Sequence, residues 1–356
     1  MINPINIKIN ESFFQYNCDN VIHTKFIDDC LYDEQRNIYI YNNEFDSALG
    51  NDICIEGIKN SQLNLNLIIN KNIFTNNSTD GVLIFDLFYN NFEIINNTFK
   101  KNKSNGLNIQ KTFSFFGSNI KFNPIKIKNN QFTENKGFGL FINDCLIEVI
   151  SNKFTVNRQS GMCLCDLIID DSKKNTNETH QLTNINVGNI SKKFSVILNN
   201  SFTENGESGL YINNYPYLVE IQESVFSSNC KNGIICNIDN SCSNFNSKFQ
   251  EFKNCNIVKC FELANIILKK CVIEKNLKNG IEMNGCLVYS EESFIMDNID
   301  YAISITKKEY QFCFRENDSD SKKNVINGRY GGDWGEIKKE KGMLCGLSCI
   351  SNGKED

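Results

Sequence analysis

The chain has 356 residues, 40% hydrophobic and 22% charged, which is enough for one large domain with a sizeable core or for two ordinary ones. A net charge of -5, dispersed Lys and only Arg36, Arg158, Arg315 and Arg329 exclude the clustered basic surface that nucleic acid requires. No stretch approaches the roughly 18 apolar residues of a membrane helix, and MINPINIKINESFF has no basic-then-apolar leader pattern, so a cytoplasmic protein with reduced thiols is expected.

Taken in chain order, Ile5-Asn6-Ile7-Lys8-Ile9 alternates and reads as a strand of an N-terminal cap over residues 1–25. From there to residue 309 one figure recurs, written as NNQFTENKGFGLFIN at Asn129 to Asn143 and NNSFTENGESGLYIN at Asn199 to Asn213. Its anchor stands at Phe26, Phe45, Phe74, Phe99, Phe132, Phe154, Phe202, Phe226, Ile273 and Phe294, ten copies in all. Asn recurs two residues before the anchor, from Asn43 to Asn200, and three after it, from Asn77 to Asn276. Gly stands seven after it in the central copies, from Gly81 to Gly280. Spacing within the figure is constant, whereas anchors lie 19 (Phe26 to Phe45) to 48 (Phe154 to Phe202) residues apart.

Each copy alternates before the anchor and again after the Gly, which predicts short strands with residues eight and ten past the anchor inward and residue nine outward. Gly and Asn tolerate a left-handed backbone, so both are expected to mark tight bends. A unit of this size cannot bury its apolar side alone and must stack on its copies. A polar stretch, Asp170 to Lys193, reads as a surface loop, and Asn237 to Glu262 as an irregular insertion whose Phe249 is a candidate extra anchor. Residues 310–356 lose the figure, contain GGDWGE at Gly331 to Glu336, and read as a C-terminal cap or tail.

The figure N-x-F-x-x-N-x-x-x-G-[LIV]-x-[LIV] resembles the right-handed parallel β-helix repeat of the pectin-lyase-like superfamily, over about Phe26 to Ile305. The resemblance implies an all-β solenoid of about ten rungs, with ladders of Phe, Ile and Leu inside and Asn at the corners. It does not select a function, because this fold hosts lyases, hydrolases, adhesins and binding modules.

Twelve residues past successive anchors stand Asp86, Lys111, Asp144, Asp166 and Asn214, which places Asp144 and Asp166 one strand spacing, roughly 5 Å, apart. Two carboxylates that close can divide acid and nucleophile roles at a glycosidic bond; on the non-catalytic reading they are solvated turn residues. The polygalacturonase signatures N-T-D, double Asp, G-H-G and R-I-K are absent, as is an Arg base among calcium-binding Asp residues. His23 and His180 have no partner pattern, and Cys313, Cys345 and Cys349 have no zinc spacing, so neither metal nor cofactor is expected. Nine past the anchor, Leu83, Phe141, Tyr211 and Ile235 put apolar groups outward, as a partner surface does.

These readings favour a non-catalytic binding or scaffold module that meets a protein partner, or else a glycan, through that strip, with neither nucleic acid nor membrane as partner. The rungs resemble the β-helix of F-box substrate receptors, which implies substrate recognition in ubiquitin ligation. The alternative is a carbohydrate-active lyase or glycoside hydrolase that uses Asp144 and Asp166 on a polysaccharide.

Overall fold

The structure is a computed structural model that describes residues 6–26, 36–57, 65–114, 123–166, 194–238, 265–286 and 288–305. It also describes the short strands Phe312–Phe314, Val325–Ile326, Tyr330–Gly332, Lys338–Glu340 and Met343–Cys345. Asp170 to Lys193 with His180, Phe249 and nearly all of its insertion, and most of residues 310–356 lie outside the described residues.

Short strands form because apolar residues alternate with polar ones over three to six positions before a bend, as in Leu65–Asn70 with Leu65, Leu67 and Ile69 buried. Among the described residues the strands make three sheets of thirteen, eleven and eleven strands, plus one two-stranded pair. No helix is present among the described residues, and the whole is a parallel β-helix of about ten rungs. Every coil gives one strand to each sheet in turn, and neighbouring coils pair in register, for example Phe132 with Phe154 and Ile142 with Leu164. The stack crosses the loop and the insertion without a gap: Lys153–Thr155 pairs directly with Ser201–Thr203, and Val225–Ser227 with Val272–Glu274.

The core is a column of rings. Phe14, Phe45, Phe74, Phe99, Phe132, Phe154, Phe202 and Phe226 stack with centroids 4.6–5.1 Å apart, close to the spacing of paired strands. Two Asn ladders line the corners beside it. In the first, each side-chain amide donates to the next rung's Asn carbonyl at 3.0–3.1 Å, from Asn43 to Asn200. In the second, from Asn77 to Asn298, the same bond measures 2.8–3.1 Å.

Both ends differ from the expected register. The first anchor is Phe14, stacked on Phe45 at 5.0 Å, while Phe26 lies at the third corner of that coil. Ser12 and Val21 replace the usual Asn and Gly around Phe14, which hid it. The last sequence-assigned anchor is displaced by one: Ile295 pairs with Ile273 and is buried, whereas Phe294 is 40% exposed. A slip of one residue sends a side chain to the other face, and here an aliphatic residue fills the core position beside a solvent-facing ring. Past Ile305, Phe312–Phe314, Val325–Ile326 and Tyr330–Gly332 each add a parallel strand to one sheet. Met343–Cys345 and Lys338–Glu340 then pair antiparallel along the end of the first sheet, which covers its open edge.

Candidate functional site

The corner after the third sheet carries the paired acids. Strands such as Leu140–Asn143 end there in a left-handed residue, with φ of 52° at Asp86, 46° at Lys111, 52° at Asp144 and 51° at Asn214. A short polar side chain relieves part of the cost of that conformation, which favours Asp and Asn. Backbone bonds tie the corner from coil to coil: Lys111 N–H to Asn143 O at 2.8 Å, Asp144 N–H to Cys165 O at 2.9 Å and Asp166 N–H to Asn213 O at 3.2 Å. Asp144 and Asp166 therefore occupy the same corner on successive rungs.

Asp144 is half-buried. Burial, and then the Asp166 carboxylate beside it, push its carboxyl up to about 6, against the opposing pull of Lys111. Two tyrosines that the sequence does not single out lie near the pair. Tyr217 is half-buried, and its phenol is pushed up by burial first and then by Asp144, Cys145 and Asp166, so it stays neutral. Tyr215 is buried; its hydroxyl donates to Cys145 O at 2.5 Å and lies 2.7 Å from Ser195 Oγ, and its ring meets Tyr217 edge-on at 5.4 Å. The signal was present in NNYPYL, where two aromatics follow the corner Asn214 at once.

The outward strip on the same sheet is less bare than expected. Leu83, Phe141, Tyr211 and Ile235 are half-buried rather than exposed. Phe141, Cys163, Tyr211 and Ile235 are in register on adjacent strands, and Cys163 is only 2% exposed between its larger neighbours. Leu83 is separated from Phe141 by Asn108, which donates to Asp80 at 2.8 Å. His23 sits two coils from this strip, with Nε2 3.9 Å from Glu56. Among the described residues no three His, Cys, Asp or Glu side chains converge as metal ligands. No helix there is long and apolar enough to cross a membrane.

No protein-family model matches the chain, and no curated protein matches it. Two solved structures resemble it. A mutant of the periplasmic alginate epimerase AlgG is 12% identical over 92% of this chain and 73% of its own, with a TM-score of 0.47. The A-module of a mannuronan C-5 epimerase from Azotobacter vinelandii is 8% identical over 91% of this chain and 87% of its own, with a TM-score of 0.35. Both are polysaccharide-acting enzymes and one is periplasmic. The expectations of a non-catalytic binding or scaffold module, of a protein partner and of a cytoplasmic protein are corrected on that finding, and ubiquitin ligation falls with them. On the chain itself, the corner holds a half-buried carboxyl beside a second one. The likeness is one of fold: the chain is a right-handed parallel β-helix that resembles the pectin-lyase-like and alginate-epimerase superfamily.

Proposed function

We propose that the protein is a carbohydrate-active enzyme that hydrolyses a polysaccharide at the corner bearing Asp144 and Asp166. The observation that carries this reading is the pair itself: two carboxyls on successive rungs, one of them raised to about 6 by burial and by the other. A proton-bearing acid and an ionised partner are what glycosidic cleavage requires. Asp144 gives its proton to the leaving oxygen as the C–O bond breaks, and the Asp166 carboxylate attacks the anomeric carbon. Water, deprotonated by Asp144, then displaces Asp166, so one water is consumed and Asp144 regains its proton. The backbone offset of about 5 Å is of the size at which retaining enzymes hold their carboxyls, about 5–5.5 Å.

The test is release of reducing ends from a panel of neutral and acidic polysaccharides by the full chain. Asp144→Asn is expected to lower turnover about a hundred- to ten-thousand-fold with the melting temperature unchanged. Products are expected to retain the anomeric configuration. Absence of cleavage across the panel overturns the reading, and inverted products overturn the nucleophile role of Asp166.

A further inference from the structure

We infer that the glycan is a neutral one, bound along the outer face of the third sheet. This inference rests on the reading of the acid pair as a polysaccharide-cleaving site and names its substrate class. Six consecutive strands of that sheet, Val82–Phe85, Leu107–Gln110, Leu140–Asn143, Met162–Cys165, Leu210–Asn213 and Ile234–Asn237, place two residues each on the outer side; none is charged, and Asn108, Asn143, Cys163 and Cys165 among them are buried between half-buried neighbours. In a chain with 22% charged residues, that run is a departure, and the other sheets show the contrast. The first sheet pairs Lys126 with Glu93 at 3.0 Å and Lys269 with Glu220 at 2.6 Å across its outer face. The second carries Lys100 beside Glu134 at 3.5 Å.

A polyuronate brings one carboxylate per sugar, and each needs a cation. The corner bordering the face offers Asp86, Asp144 and Asp166 against Lys111, which already acts on Asp144. A polyanion is therefore repelled where it must be held. Hydroxyl-rich neutral sugar fits the groups present. The half-buried side-chain amides of Asn213 and Asn237 have no hydrogen-bond partner among the described residues, and an amide can both donate to and accept from a hydroxyl. Phe141 and Tyr211, two strands apart on either side of the smaller Cys163, offer half-buried rings for the C–H faces of pyranoses. Neutral substrate also selects the reaction. Elimination and C-5 epimerisation need the sugar's own carboxyl to acidify the C-5 proton, so a sugar without one leaves hydrolysis, with water as the co-reactant.

The experiment uses two forms of the full chain. Wild type is assayed for cleavage, and Asp144→Asn is titrated for binding, against linear neutral glucan, mannan and xylan on one side and polymannuronate and polygalacturonate on the other. Expected are cleavage and binding on the neutral side, with binding little changed by salt and weakened at least tenfold by Tyr211→Ser or Phe141→Ser in proteins of unaltered melting temperature. Cleavage confined to a polyuronate, with binding that weakens as salt is raised, overturns the neutral class and leaves the acid pair standing. Neutral glycan bound by Asp144→Asn but left uncut by wild type supports the binding face and overturns the acid pair. No binding to any polymer overturns both.

Discussion

At the seventh position past the central anchors, from Gly81 to Gly280, glycine is required by contact and not by backbone dihedral. A Cβ on Gly139 would lie 2.7 Å from the Gly161 carbonyl oxygen and 2.9 Å from Phe132 Cβ, so any side chain forces neighbouring rungs apart. Bends are turned elsewhere, by non-glycine residues at positive φ such as Asn129 (55°), Glu134 (57°) and Asp144 (52°). The sequence reading thus located the glycines and assigned them the wrong cause. Asp144 joins such a bend to the chemistry proposed for it. As the proton donor it must be protonated, so kcat/KM is expected to fall as pH rises through about 6. The Lys111 charge lowers the Asp144 pKa, hence Lys111→Met moves that alkaline limb to higher pH. A pH–rate profile checks both, and a limb that stays in place or moves down argues against Asp144 as the titrating acid.

Among the elements, the second Asn ladder contains one local repair. Where Asn is due three residues past Phe45 the chain has Ala48, and four residues later Asp52 takes the place of Gly. The Asp52 carboxyl accepts a hydrogen bond from the Asn77 amide, where the corresponding amides elsewhere in the ladder donate to the backbone carbonyl of the anchor residue one coil back. Asp52 is fully buried, its Oδ1 has no partner, and burial raises its carboxyl to about 8. Protons are thus held more tightly in the folded than in the unfolded chain. The stability this contributes is full below the unfolded value of about 3.9 and is lost as pH rises through about 8. Asp52→Asn keeps an acceptor for Asn77 and removes the titration. Urea unfolding from pH 4.5 to 9 is expected to show the variant's advantage growing to several kcal/mol at the alkaline end. An advantage that does not vary with pH removes Asp52 from the account.

At the scale of the whole molecule each rung touches only its neighbours, so the cost of a core change depends on where along the axis it falls. Phe154 is fully buried with rings at 4.8 Å and 4.6 Å on its two sides, whereas Phe14 is half-buried and stacks on Phe45 alone. Phe154→Ala is expected to cost about 3–5 kcal/mol, and Phe14→Ala under about 2 kcal/mol, read from denaturant midpoints. Equal losses would show the ring column to be a single cooperative unit insensitive to position.

The repeated figure determined the coil by itself. Each residue of a rung meets the same surroundings in the next, so constant spacing of Phe, Asn and Gly is already a statement about which side chains stack. That held for the ring column from Phe45 to Phe226, for both Asn ladders, and for the shared corner of Asp144 and Asp166. It did not hold at the ends, where Phe14 and Ile295 lack the flanking marks of the figure. Only the tertiary structure decided the setting of the acid pair, because aromatic groups that come near Asp144 belong to another copy. Tyr215, whose hydroxyl reaches Cys145 O across 70 positions, and Tyr217 return to that corner from a later coil. Spacing within a repeat specifies neighbours along the axis; burial at a corner depends on where the variable loops bring the chain back.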